Sequence, residues 1–260
     1  MTKVIAIANQ KGGVAKTTTT VNLGAGIAKS GRKVLLIDMD SQGDLSKALG
    51  CKAPNLLKFT VRDVMRQAER GVPISPIRGI LHNSRDKMDL MPANTHLLGF
   101  EHGLNSSPDN GYLLRAFVNV VRPHYDYILI DCAPSLGILT QNALVAADSV
   151  LIPVDPEFFC VEGMGMMLAT IDLMRLKMNP SLQLEGILIV RRNNAVRVKR
   201  ENTAKLREVY GAKVLRTELP SSVKATEAAS HGMSLIRYMA WNPLAKAYAS
   251  LAKEVLAHEQ

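Results

Sequence analysis

Residues 3–18, KVIAIANQKGGVAKTT, decide the fold. The run Lys3–Ala8 is apolar without alternation, which predicts a strand covered on both faces. It passes into a loop with two adjacent glycines, Gly12 and Gly13, and a helix is predicted from about Lys16 to Lys29. A glycine loop between a strand and a helix aims backbone N–H groups at one spot, and the helix start adds partial positive charge, so the place suits a phosphate. In that geometry Lys16 reaches the β/γ-phosphates and the Thr17 hydroxyl reaches Mg²⁺. The general spacing G-x-x-x-x-G-K-[ST] is not met, because Gln10 stands for the first glycine and Ala15 for the last.

Further strands are predicted at Lys33–Asp38, Tyr127–Asp131, Ser149–Val154 and Glu185–Val190, with helical patterns between them. Gly31, Gly71 and Gly211 stand where helices should stop. Strands of this kind alternating with helices predict an α/β fold: a doubly wound, mostly parallel sheet flanked by helices, in one domain over residues 1–260. The stretch from Pro73 to Asn110 is the least regular. Near the end, Leu244, Tyr248, Leu251 and Val255 recur at helical spacing within Pro243–His258, which predicts a helix packed on the core. Asp38 and Asp131 each end an apolar strand, on the edge where open α/β sheets place ligands, and a carboxylate there can hold Mg²⁺ through water.

The 260 residues are 47% hydrophobic, which excludes a disordered chain, and no apolar run is long enough to span a bilayer. Cys51, Cys132 and Cys160 are odd in number and far apart, so they form no disulfide framework and fit a reducing cytosol. The net charge of +9 is uneven. Residues 1–190 carry 19 basic and 17 acidic side chains, residues 191–224 carry ten and three, and residues 225–260 balance. The middle segment therefore holds a net +7, which suits either a solvated helix or a polyanionic partner.

Residues 11–24, KGGVAKTTTTVNLG, resemble the deviant Walker A box of the ParA/MinD ATPases, KGGVGKTT, with Lys11 as its extra signature lysine. LLIDMDSQGD (35–44), YILIDCAPSLG (127–137), NALVAADSVLIPV (142–154) and LPSSVKATEAASHG (219–232) are similar to further family segments in the same order. Within the family the chain looks most like the short, Soj-like partition ATPases. The resemblance implies ATP and Mg²⁺ as ligands, bound by Gln10, Lys11, Gly12, Gly13, Val14, Ala15, Lys16, Thr17 and Thr18. Thr17, Asp38 and Asp131 would hold the metal, the aspartates through water, with Asp131 as the Walker B residue. Asp40 would orient or deprotonate the attacking water. Lys11 would reach the nucleotide of a second subunit, which makes dimerisation ATP-dependent and makes hydrolysis its release. The adenine would lie near Pro220 and Ser221.

Five departures from the family pattern stand out. Ala15 replaces a glycine and is free of strain only if its φ is negative, otherwise costing about 1 kcal/mol. Ser41 and Ala133 replace prolines beside the γ-phosphate, which puts the hydrolysis rate in question more than binding. Asp155-Pro156 replaces a more usual neutral pair, without evident reason, and Arg191-Arg192-Asn193-Asn194 is more basic than the family's D-x-R-T-N-like stretch.

The family binds duplex DNA without sequence preference through basic residues of its C-terminal part, where the +7 segment falls. Arg192, Arg216 and Lys224 lead the candidates, with Arg191, Arg197, Lys199 and Arg200 behind them. The expectation is a cytoplasmic, nucleoid-associated partition ATPase with a ParB-like centromere-binding partner and no membrane contact, its turnover slow and partner-stimulated. One alternative is a MinD-like membrane-positioned ATPase, for which YASLAKEVLAHEQ makes a poor basic amphipathic helix; another is a positioner of non-DNA cargo. An iron–sulfur protein would need bridging cysteines, for which Cys132 and Cys160 are better read as free thiols.

Overall fold

A computed structural model describes residues 2–104, 108–157 and 160–258. Eight strands form one sheet: β1 (Lys3–Ile7), β2 (Val34–Met39), β3 (Leu81–Asn83), β4 (Met88–Met91), β5 (Tyr127–Cys132), β6 (Ser149–Val154), β7 (Gln183–Arg192) and β8 (Val214–Pro220). Their spatial order is β3-β4-β2-β5-β1-β6-β7-β8. All neighbours are parallel except β3 and β4, an antiparallel pair at one edge. The doubly wound, mostly parallel sheet read from the apolar runs is what the chain forms.

The strands are apolar throughout because both faces are covered. Val4, Ala6 and Ala8 point into one core and Ile5 and Ile7 into the other. The first core is closed by α3 (Val61–Glu69), α4 (His96–Gly103), α5 (Leu113–Val121), α6 (Ile138–Ala146) and α7 (Cys160–Lys177), with Leu206 of α8 (Arg197–Tyr210). The second is closed by α1 (Lys16–Lys29), α2 (Asp44–Ala48), α9 (Lys224–Ser230), α10 (Leu235–Tyr238) and α11 (Pro243–Ala257). The predicted stripe of α11 is its buried face: Leu244, Tyr248, Leu251 and Val255 are all in this core. α1 lies very close to the sheet, since a Cβ on Gly24 would stand 2.8 Å from Leu36 Cδ2 and 2.9 Å from Met88 Sδ.

Three strands escape the sequence reading. β3 and β4 fall in the irregular stretch after Pro73 and are three and four residues long. Residues 105–107 of that stretch lie outside the described residues. β8 carries Arg216, Thr217 and Glu218 in its middle, as an edge strand can, and so shows no apolar run. Gly31, Gly71 and Gly211 all take positive φ at helix ends, as expected. One further contact ties the two ends of the second core together. Gly50 and Gly232 meet backbone to backbone, so that a Cβ on Gly232 would lie 2.7 Å from Gly50 Cα.

Candidate nucleotide site

The C-terminal ends of β1, β2 and β5 lie side by side, and Asp38 and Asp131 are register partners there. The loop leaving β1 is anchored by Asn9, whose Nδ2 donates to Pro153 O (2.8 Å) and whose Oδ1 accepts from Lys11 N (2.9 Å). Gly13 and Ala15 both take left-handed φ, 72° and 60°. Ala15 therefore does not have the negative φ that would spare it strain, and it sits at the start of α1 with no side-chain cap. Lys16 follows, buried, its Nζ donating to Lys11 O across the loop (3.0 Å). Burial lowers its pKa, while the charges of Asp131, Cys132 and Asp40 pull it back up.

Asp131 accepts from Thr17 Oγ1 at Oδ2 (2.7 Å) and from Thr20 Oγ1 at Oδ1 (3.2 Å). Asp38 Oδ2 accepts from both the backbone N (2.9 Å) and Oγ (2.7 Å) of Ser46, and its Oδ1 from Asp40 N (3.2 Å). Ser46 Oγ in turn accepts from Ala93 N (3.1 Å). Burial pushes Asp38 up to about 7, and burial followed by the charge of Asp38 pushes Asp131 up to about 8. Hydrogen bonds from Ser46, Thr17 and Thr20 act the other way. Two buried carboxylates with a hydroxyl between them and the α1 start form a donor set for a hard cation such as Mg²⁺. Asp40 is half-buried at the head of a tight turn, with Oδ1 accepting from Gln42 N (2.9 Å) and its carbonyl accepting from Gly43 N (2.9 Å).

Pro220 and Ser221 share a cleft of about 290 Å³ with Ala15 of the loop, Thr18 of α1 and Tyr248. The expected base-binding segment thus opens onto the phosphate loop. Lys11 turns outward, half-exposed, and its Nζ pairs with Glu157 Oε2 at 2.9 Å. That contact, with the hydrogen bond it brings, holds the Glu157 carboxyl below its ordinary pKa.

The basic segment is more neutralised than its charge count suggests. Lys199 and Arg191 converge on buried Asp155 (2.7 and 3.6 Å), Arg192 pairs with Glu218 (3.4 Å), Arg197 with Glu201 (2.6 Å) and Lys224 with Glu227 (2.8 Å). Arg200 and Arg216 make no side-chain ion pair among the described residues, Arg200 donating instead to Asn194 O (3.4 Å). Asp155 thereby acquires a reason: it is the anchor that ties the end of β6 to α8. Asn202 Nδ2 reinforces this by donating to Pro156 O (3.2 Å) and Glu157 O (3.0 Å). The sequence reading passed over Ser46, Thr20 and Glu157. Only Asp155 had left a signal, as a charge in a position expected to be neutral. Cys132 is a buried free thiol whose pKa burial raises, and Cys51 and Cys160 are also free. Among the described residues no helix is long and apolar enough to cross a membrane.

A family profile described as an AAA domain matches residues 2–184. The chain is 38% identical over 258 residues to the sporulation initiation inhibitor protein Soj of Bacillus subtilis, covering 99% of this chain and 100% of that one. It is 36% identical over 260 residues to the chromosome partitioning protein ParA of Caulobacter vibrioides, covering 99% and 95%. Among solved structures it resembles one described as cobyrinic acid a,c-diamide synthase from Mycobacterium smegmatis with bound ATP analog and magnesium. That match has a TM-score of 0.87 and 33% identity, covering 100% of this chain and 96% of the other.

Proposed function

The chain belongs to the ParA/MinD family of P-loop ATPases, and from that premise we propose that it is a partition ATPase working as an ATP-gated DNA clamp, with residues 1–260 acting as one ATPase domain. The observation that carries the reading is the joining of Lys16, Thr17, Asp38 and Asp131 at one sheet edge, where two buried carboxylates call for a dication. Mg²⁺·ATP would supply the γ-phosphate that is transferred to water. Residues Gln10–Thr18 would hold the phosphates, Lys16 replacing its contact to Lys11 O with one to a phosphate oxygen. Thr17 would ligate the metal directly, while Asp38 and Asp131 hold its water shell. Asp40, fixed by its own turn and by Asp38, would orient or deprotonate the attacking water. Pro220 and Ser221 would line the base.

Lys11 would leave Glu157 to meet the triphosphate of a second subunit, forming an ATP-dependent sandwich dimer. The dimer would bind duplex DNA through the basic segment, Arg200 and Arg216 first because among the described residues their side chains form no ion pair, with Arg191, Arg192, Arg197, Lys199 and Lys224 contributing as their pairs exchange. Doubling the surface strengthens binding by avidity. Hydrolysis, slow alone and stimulated by a ParB-like centromere-binding partner, would release the protein, moving plasmid, chromosome or mobile-element DNA. The working place would be the nucleoid of a prokaryotic cytoplasm.

The test is light scattering of Asp40→Ala with ATP, with ADP and without nucleotide, followed by DNA retention of the same samples. A dimer only with ATP, and DNA held only by that dimer, is expected. Nucleotide-indifferent mass would overturn the reading.

A further inference from the structure

A cavity of about 560 Å³ opens where three separate parts of the chain meet: α2 with the residues that follow it, the β3–β4 turn, and the end of α9. Small-molecule sites occupy roughly 300–1,000 Å³, and this one falls inside that range. Lys47 and Lys52 come from the first part and Arg85 from the second, so no window of sequence shows them together. Among the described residues no carboxylate lines the cavity. Lys47 pairs with Asp44 (3.0 Å) and His82 with Asp89 (2.7 Å), both carboxylates standing outside the lining. Lys52 and Arg85 make no ion pair among the described residues. Arg85 is also tied down. Its Nη1 donates to His231 O (2.6 Å), its backbone N donates to Asn83 Oδ1 (3.0 Å), and Asn83 Nδ2 donates to Leu49 O (3.2 Å). The guanidinium is thereby a fixed fork between the hairpin and the end of α9, with most of its N–H groups unspent. The wall beside it is fixed as well, the His231 ring stacking on Tyr238 with centroids 5.2 Å apart. Ser84 and Ser230 add uncharged hydrogen-bonding groups, and Gly50 and Gly232 line the cavity without side chains.

This site is separate from the phosphate loop. Among the described residues none of the stretch 10–18 lines it. Thr17 and Thr18 border instead a neighbouring hollow of about 520 Å³ between α1, α2 and α9, which shares Lys47, Ser230 and Met233 with the cavity.

We propose that this cavity binds the phosphoryl end of a small metabolite, a phosphate monoester or a pyrophosphate group, at a site of its own beside the nucleotide site. A fixed guanidinium grips two oxygens of one phosphoryl group in parallel, and the exposed lysines supply point charges around it. A carboxylate could use the same fork, but it brings a single charge to three cations, and a phosphoryl dianion matches them better. Duplex DNA is the poorer fit, because backbone contacts need only mobile cations on an outward surface, whereas Arg85 is held within a concavity. The bound group would bridge the end of α2 and the end of α9, fastening together the two backbone segments that touch at Gly50 and Gly232. None of these residues belongs to the nucleotide site, so the inference stands whether or not the proposed function does.

The probe is labelled inorganic pyrophosphate, followed by equilibrium dialysis against the full chain saturated with Mg·ADP, so that the phosphate loop is already filled. The wild type is expected to bind about one equivalent, held by the Arg85 fork and the lysines. The double variant K52A/R85A should weaken that binding about tenfold or more, and Arg85→Lys, which keeps the charge but loses the fork, about three- to tenfold. Lys16→Ala without nucleotide should bind pyrophosphate as the ADP-saturated wild type does. Thermal melts accompany each protein, and should the double variant melt below the wild type, Lys52→Ala and Arg85→Lys decide. Absence of saturable binding to the ADP-saturated wild type overturns the inference. So does binding that K52A/R85A keeps in full, or binding that Lys16→Ala loses, which would place the pyrophosphate in the phosphate loop. Displacement of the pyrophosphate by a random-sequence duplex, with duplex binding lost in K52A/R85A, would assign the cavity to DNA and overturn it as stated.

Discussion

Asp38 and Asp131 stand shoulder to shoulder as register partners on β2 and β5, both buried, and among the described residues neither forms an ion pair. Burial away from solvent is the main reason both carboxyls are raised far above an ordinary aspartate; the charge of Asp38 adds to the rise at Asp131, and that of Asp40 adds to both.

The metal-free protein should therefore lose stability as pH rises. A carboxyl whose folded pKa is raised favours folding only while protonated, so the unfolded chain gives up the proton first. Stability falls from about pH 4, the ordinary value, to about pH 8, where Asp131 ionises in the fold. Thermal melts across that range should show the decline without Mg²⁺ and nucleotide, and a smaller one with them. Asp131→Asn should flatten the metal-free decline and remove the response to Mg²⁺. A melting temperature that rises over this window would contradict the account.

Ala15 is held at φ 60°, where a Cβ costs about 1–2 kcal/mol. Glycine there relieves the strain but adds freedom to the unfolded chain, about 0.4–1 kcal/mol in the other direction. Ala15→Gly should be more stable to denaturant by about 0.5–1 kcal/mol and should bind an ATP analogue at least as tightly. Destabilisation by the glycine would show that the methyl makes a contact worth more than its strain.

Lys11 is shared between Glu157 in its own chain and, in the proposed dimer, a partner's phosphates. The pair is half-exposed on both sides, so it is worth about 0.2–1 kcal/mol. Glu157→Gln should tighten the ATP-dependent dimer about two- to fivefold in sedimentation equilibrium, and Lys11→Ala should abolish it. Weaker association of the glutamine variant would mean that Glu157 serves the dimer rather than competing with it.

Asp155 collects Lys199 and Arg191 while lying almost wholly inside the protein. Asp155→Asn should cost about 1–3 kcal/mol of stability, because it weakens a buried hydrogen-bonded anchor. It should also bind duplex DNA more tightly at low salt, with a steeper salt slope, because two cations are set free. Chemical denaturation and DNA titration on one preparation measure both.

The strands that could be read in the sequence are those buried on both faces, where the apolar requirement is continuous. β8 was hidden because an edge strand tolerates Arg216 and Glu218, and the β3–β4 pair because each strand is too short to establish a period. At the site, the residues marked by spacing, Lys16, Thr17, Asp38 and Asp131, come together as read. Ser46 could not be found this way. Its importance lies in where α2 folds back on Asp38, a contact eight residues along that a serine elsewhere would not make. The basic segment shows the opposite limit: counting charges within it leaves out Asp155 and Glu227, which lie outside it, and does not show that Glu201 and Glu218 inside it are already paired with its cations.

The bare contact between Gly50 and Gly232 sets two backbone segments directly against each other. Gly50 ends the segment that begins at the Asp40 turn, and Gly232 closes α9, whose Ala225 and Thr226 border the cleft beside Pro220 and Ser221. With no side chain between them to act as a cushion, any bulk added at Gly50 or Gly232 must wedge the end of α9 away from the segment that follows the Asp40 turn.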